Sequence, residues 1–137
     1  MSGRSFLDTN VLIYTDDHDA PEKQRRAIEV YERARRRRTG VVSTQVLQEY
    51  FVGATRKLGV EAAVARRKVE LFAHLDLVRI DLGTILAAID FQRLHQVSFW
   101  DALIVQAALA GGCATLLSED MQHGRRIDGL EIVNPFL

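Results

Sequence analysis

The stretch Phe6 to Tyr14 reads FLDTNVLIY, and the rest of the chain is organised around it. Phe6-Leu7 and Val11 to Tyr14 are apolar, aromatic or β-branched, and one polar triplet, Asp8-Thr9-Asn10, divides them. A short apolar run of this kind predicts a strand buried on both faces, as in a parallel sheet. Asp and Asn are poor strand formers, so their presence needs a reason. Either they shape an Asx-type turn, or Asp8 is an acid held at the carboxyl end of a strand, where open α/β sheets bind ligands.

The surrounding 137 residues suit one domain spanning 1–137, long enough to bury a sizeable core. Apolar residues make up 47% and charged residues 26%, which excludes a disordered chain. The formal net charge is zero, so no global field points to nucleic acid. Locally the balance differs. Glu22 to Arg38 carry eight Lys or Arg against three Glu, a net of +5, and end in Arg35-Arg36-Arg37-Arg38. Cys113 is the sole cysteine, so no intrachain disulfide forms and a reducing cytoplasm fits. The amino end lacks the pattern of a signal peptide, and no run approaches the roughly 18 apolar residues of a membrane span.

Beyond the first strand, the polar stretch from Asp16 to Pro21 leads into a helix of about Glu22 to Arg38, with Pro21 at its first position. Thr39-Gly40 stops it, and Val41 to Ser43 form a second strand. Ser43 or Thr44 caps the next helix, whose inward face is Val46, Leu47, Tyr50, Phe51, Ala54 and Leu58, with Glu49 at its border. Further helices are expected over Glu61 to Ala73 and Thr84 to His95, around a strand at Leu77 to Ile80. Ser98 to Gly112 reads SFWDALIVQAALAGG, apolar nearly all round and therefore a buried helix. Asp101 there is either the partner in a capping box with Ser98, or a carboxylate whose burial requires a partner or a cation. Ala114 to Leu117 is a fourth strand ending at Ser118-Glu119-Asp120. Met121 to Arg126 is a loop or short turn, and Leu130 to Val133 a last strand, placed at an edge. The pattern predicts a three-layer α/β/α domain with a mostly parallel sheet of about five strands.

Topology groups four acids. Asp8 leaves strand one, Glu49 follows strand two, Asp101 opens the buried helix and Asp120 follows strand four. A pair of like charges at about 4 Å repels by roughly 4 kcal/mol even at an effective dielectric near 20. Raised pKa values or a hard divalent cation relieve that. An oxygen-only set with no paired His or Cys selects Mg²⁺ or Mn²⁺ over zinc. His18, His74, His95 and His123 read as surface or packing residues.

FLDTNVLIY, STQVLQE (Ser43 to Glu49), FWDALIVQAA and LLSEDMQHG together resemble the PIN domain, most nearly its bacterial ribonuclease-toxin branch, the VapC type of toxin–antitoxin systems. The resemblance covers nearly the whole chain, in order and spacing. It implies a Mg²⁺- or Mn²⁺-dependent endoribonuclease with Asp8, Glu49, Asp101 and Asp120 as catalytic acids and metal ligands. Asn10 and Ser118 match supporting polar positions, and Glu119 stands beside the pattern as a possible additional acid. It also implies an RNA substrate, with phosphate contacts assigned to Arg35, Arg36, Arg37 and Arg38, a cognate antitoxin, and a homodimer. Two other readings stay open: a non-catalytic PIN-like module binding RNA or protein, and an aspartyl phosphotransfer enzyme, against which Asn10 counts because the usual second Asp is missing.

Overall fold

The opening stretch splits at Asp8. In the computed structural model, which describes residues 3–137, β1 (Arg4–Leu7) ends there and α1 (Thr9–Tyr14) begins. Val11 to Tyr14 are therefore helical, not strand. Asp8 is the cap that turns the chain: its backbone is extended and its side chain accepts the Thr9 N–H. The polar triplet is the strand–helix junction itself. An N-cap acid satisfies amide donors that the first helical turn leaves unpaired.

After α1 come α2 (Pro21–Arg37), β2 (Gly40–Ser43), α3 (Thr44–Lys57), α4 (Ala62–Phe72), β3 (Asp76–Val78), α5 (Leu82–Leu94), α6 (Phe99–Ala110), β4 (Cys113–Leu117), β5 (Arg126–Ile127) and β6 (Leu130–Val133). The sheet has six strands in the order β3-β2-β1-β4-β6-β5. All neighbours are parallel except β5, which runs antiparallel to β6. The extra strand comes from Asp128-Gly129, both at positive φ, the two-residue turn that closes a tight hairpin. Hence β6 is an inner strand between β4 and β5, and β5 holds the edge expected for Leu130 to Val133.

Strand alternation sets the layers. A Cβ on Gly40 would lie 2.9 Å from that of Ala34 in α2, while a Cβ on Gly111, at the end of α6, would lie 3.0 Å from Val41 Cγ1. Successive residues of β2 thus meet α2 and α6, which cover opposite faces. Gly40 is small because α2 passes this close; the stop of α2 is Arg38, in left-handed conformation at φ 56°. Phe6, Leu7, Val41, Val42, Leu116 and Ile132 fill the sheet core. Tyr50, Phe72 and Tyr31 stack edge to face at 5.0 and 5.1 Å, binding α3 and α4 to α2.

Side-chain bonds then fix α1. Asp16 accepts from Tyr50 Oη at 2.6 Å and from Lys68 Nζ at 2.7 Å, and Lys68 also donates to Thr15 Oγ1 at 2.8 Å. Two expected inward residues face solvent instead: Phe51 on α3 and Ala62 at the start of α4. On α6 the buried set is as expected from Ala102 to Ala108, apart from the half-buried Gln106, but Trp100 in the first turn is exposed. Among the described residues, no helix is long and apolar enough to cross a membrane.

Candidate active site

In a parallel sheet the carboxyl ends of β1, β2 and β4 share one edge. Asp8 stands at the end of β1, Ser118 to Asp120 follow β4, and α3 carries Glu49 away from β2. The carboxyl end of α6 feeds the amino end of β4, so its amino end, with Asp101, comes back to the acid edge. The four acids meet here because of topology, although they are up to 112 positions apart in sequence.

Asp8 is almost fully buried. It accepts from Thr9 N and Ser118 Oγ, both at 2.7 Å. Burial pushes its pKa up to about 6; the Ser118 and Thr9 bonds oppose this, while the charges of Asp120 and Glu49 add to it. Ser118, wholly buried, also accepts the Asp120 N–H at 3.2 Å. Asn10 Nδ2 donates to Asp120 Oδ2 at 3.1 Å and lies 3.5 Å from both Asp8 Oδ2 and Ser118 Oγ. Its Oδ1 accepts the Glu119 N–H at 3.2 Å. Asn10 is thus a bracket between α1 and the loop after β4.

Asp101 is half-buried in the first turn of α6, where Ser98 Oγ accepts its backbone N–H at 3.0 Å. Burial raises its pKa first, and the nearby charges of Asp120 and Glu49 raise it further. The Asp101 amide thus belongs to the cap, without the return bond from its carboxylate to the Ser98 N–H that a full capping box has, and its carboxylate feels the charges of the other acids. Glu49 accepts from Thr9 Oγ1 at 2.7 Å and from Gln45 Nε2 at 3.2 Å.

Glu119 turns away from this group. It accepts from Tyr14 Oη and Lys23 Nζ, both at 2.6 Å. Burial alone would raise its pKa, but these two bonds prevail and hold it below the ordinary value. It is a latch joining α1, α2 and the loop after β4. Arg35 to Arg38 are not brought to the acids either. They stand at the end of α2 that leads into the amino end of β2, the opposite edge of the sheet.

Three supporting residues escaped the sequence reading. Thr9 aims Glu49, Lys23 ties down Glu119, and Gln45 donates to both Glu49 and the Trp100 carbonyl at 3.2 Å. Gln45 Oε1 is buried without a partner. A Leu there would leave no orphan, so the amide is explained by the two elements it joins.

Among the described residues, no three of these acids are drawn together as a closed ligand set. Like charges hold carboxylates apart. The donors present nevertheless fit a hard divalent cation: carboxylate, amide and hydroxyl oxygens, without Cys or His. Among the described residues none of the four acids is in an ion pair, although Arg125 lines a cleft with Asp101 and Asp120 and Lys57 lines another with Glu49 and Asp120.

No curated protein matches the chain. Solved structures do share its fold. The toxin–antitoxin complex from Klebsiella pneumoniae aligns at 19% identity with a TM-score of 0.68, covering 96% of this chain and 97% of that one. VapC20 of Mycobacterium tuberculosis, a sarcin-ricin loop cleaving toxin, aligns at 19% identity and TM-score 0.63, covering 85% and 91%. VapBC2 from Rickettsia felis, bound to a DNA fragment from its promoter, aligns at 18% and 0.62, covering 93% and 96%. The PIN domain family profile matches residues 5–129. A match over that much of the sequence, on a six-stranded α/β sheet with its acids at the carboxyl edge, makes the chain a member of the PIN domain family.

Proposed function

We propose that this protein is a divalent-cation-dependent endoribonuclease and the toxin of a toxin–antitoxin pair. The observation that carries the reading is the acid group itself: Asp8 and Asp101, both with raised pKa values, each feel the charges of Asp120 and Glu49, and among the described residues none of the four is in an ion pair. A site that needs only to bind a neutral ligand has no use for four acids in mutual repulsion. The Klebsiella, Mycobacterium and Rickettsia structures, described as toxins or toxin–antitoxin pairs, share the fold and add to the reading.

Asp8, Asp101, Asp120 and Glu49 would hold Mg²⁺ or Mn²⁺. A bound ion of this kind supplies charge to polarise a phosphate and to make water a stronger nucleophile. The chain's own residues do the positioning. Ser118 and Thr9 fix Asp8, Asn10 fixes Asp120, and Thr9 with Gln45 fixes Glu49. These bonds orient the ligand oxygens and limit their freedom to turn away. With the ion absent, Asp8 is the acid best placed to retain a proton near neutrality.

Saturating Mg²⁺ or Mn²⁺ is expected to raise the melting temperature of the wild type, because a ligand bound only by the native state stabilises it by mass action. At a hundred times Kd the gain is about 2.7 kcal/mol. Calorimetry in EDTA and then in each ion reads this directly. An unchanged melt would mean that the acids do not assemble a cation site.

Control by an antitoxin follows from the same acids. An Arg of the partner pairs bidentately with carboxylates and competes with the cation for their oxygens. Of the apolar α3 residues Val46, Tyr50, Phe51 and Ala54 that a partner helix could share, three are wholly buried and Phe51 alone is exposed. A groove lined by Leu47, Phe51, Val52 and Val69 between α3 and α4 would be the surface open to it. Co-expression with the neighbouring reading frame should give a stable complex that does not cut RNA. Cleavage should return when the inserted Arg or Lys is changed to Ala, and inhibition indifferent to every basic residue would contradict this route. A homodimer belongs to the same reading, with the exposed stripe Leu82, Leu86 and Ile89 of α5 as its surface.

Induced expression in a bacterial host, with sequencing of the RNA ends produced, tests the function as a whole. Growth arrest with cuts at defined positions is expected. Normal growth with intact RNA would leave the family's fold without this activity.

A further inference from the structure

A cleft of about 360 Å³ opens beside the acids, between the α5–α6 pair and the loop after β4. Asp101 and Asp120 form part of its wall, so it is continuous with the acidic site. Its floor is apolar: Phe91, Val105, Ile127 and Ile132 are each less than a tenth exposed. Its rim is polar, with Gln96, Gln122 and Arg125.

The rim is held by the fold. Arg125 O accepts the Ile132 N–H at 2.9 Å, and Arg125 N donates to Gln122 O at 3.3 Å. The Arg125 guanidinium donates to His95 Nδ1 at 3.3 Å, and the His95 ring stacks on Phe91 with centroids 4.2 Å apart and planes at 26°. Phe91 and Arg125 therefore line the cleft together with Asp101, and His95, which does not line it, joins the two.

An apolar floor with a few convergent polar groups is the composition of a small-molecule pocket, and such pockets start at about 300 Å³. Side-chain amides offer both a donor and an acceptor, and a guanidinium offers donors in a plane. Those are the groups that read the edges of unpaired bases, while apolar and aromatic surfaces take their faces. We propose that this cleft is a nucleobase subsite, taking the base of the nucleotide adjacent to the scissile phosphate of single-stranded RNA. The assignment rests on the ribonuclease reading, since a phosphate placed against the acids puts its attached base one sugar away. The apolar side chain of a protein partner would fill the floor but leave the rim amides and guanidinium unused.

The test uses the intact chain in saturating Mg²⁺, because without a cation the carboxylates repel a phosphate; the mononucleotides carry no phosphodiester to cut. AMP, GMP, CMP, UMP and ribose 5-phosphate are each titrated while nuclear magnetic resonance follows the Met121 methyl group and the Gln96 and Gln122 side-chain amides. Saturable shifts at these groups are expected, with at least one mononucleotide binding roughly tenfold or more tightly than ribose 5-phosphate, the usual worth of base stacking. Gln122→Trp, which fills the cleft from an exposed position, should abolish the difference. If its spectrum shows loss of fold, Arg125→Ala, on the rim, should weaken the ranking of bases instead. Shifts that are equal for ribose 5-phosphate, absent with every nucleotide, or produced only by a protein partner would overturn the subsite. A chain that binds mononucleotides here yet cuts no RNA would overturn the ribonuclease reading and leave the subsite standing. A chain that cuts RNA without such binding does the reverse.

Discussion

Asp8→Asn is expected to melt at a higher temperature than the wild type in EDTA at pH 8, and to cut no RNA in Mg²⁺ or Mn²⁺. The folded protein holds Asp8 at a pKa of about 6, against an ordinary value of 3.8, mainly through burial. A raised acid binds its proton more tightly folded than unfolded. Below about pH 4 both states are protonated and the charge costs nothing. Above about pH 6 both are ionised, and the folded state carries the full cost, at most about 3 kcal/mol. Metal-free stability should therefore fall as pH rises from 4 to 6. The Asn variant has no charge to bury and caps α1 about as well, so it should escape that fall and gain about 1–3 kcal/mol at pH 8. Melts from pH 4 to 8 in EDTA check this. Parallel pH profiles for the two proteins would show that Asp8 carries no buried charge.

Asp16→Ala should have the largest stability cost of any substitution away from the core. Asp16 accepts from Tyr50, which is wholly buried, and from Lys68, which is partly so. Removing it leaves the Tyr50 hydroxyl without its acceptor and the Lys68 ammonium without its counter-charge, with only Thr15 Oγ1 still accepting from it, at a cost of about 2–4 kcal/mol. Burial, followed by the Asp16 bond, raises the Tyr50 pKa, so Tyr50 remains a neutral donor across the accessible range. Tyr50→Phe removes only one bond and should cost about 1 kcal/mol. Urea denaturation of both single variants and the double variant gives the coupling. A loss under 1 kcal/mol in Asp16→Ala would mean that water replaces the carboxylate, and that the network does not fix α1.

The grouping of the acids was legible in the sequence because Asp8 and Asp120 each follow an apolar strand, while Glu49 on the helix after β2 and Asp101 at the start of the buried helix are returned to the same edge by the order of the elements. The helical character of Val11 to Tyr14 was not, since a short apolar run has no period to distinguish strand from helix. The signal lay in Asp8, for which a local turn was one of the two readings and which caps α1. The sixth strand was announced by Asp128-Gly129, a turn dipeptide with a mechanism, but two residues are too short for a strand to stand out. Phe51 followed the helical period of the buried face yet faces out, because periodicity places a stripe without giving its width. Glu119 and Arg35 to Arg38 show the opposite limit. Charge type is visible in a sequence, but the direction of a side chain depends on Lys23, Tyr14 and the run of α2, which lie elsewhere in the chain. Gln45 could not be singled out, because its partners are a neighbour on the same helix and a carbonyl 55 positions away.

Cleavage of a circular single-stranded RNA tests the central claim most directly, since only an endonuclease opens a circle. The account predicts linear product with wild type in Mg²⁺ or Mn²⁺, none in EDTA, and none with Asp8→Asn or Asp101→Asn that retain the wild-type circular dichroism spectrum. Circles opened equally well in EDTA, or by folded Asp8→Asn, would contradict it.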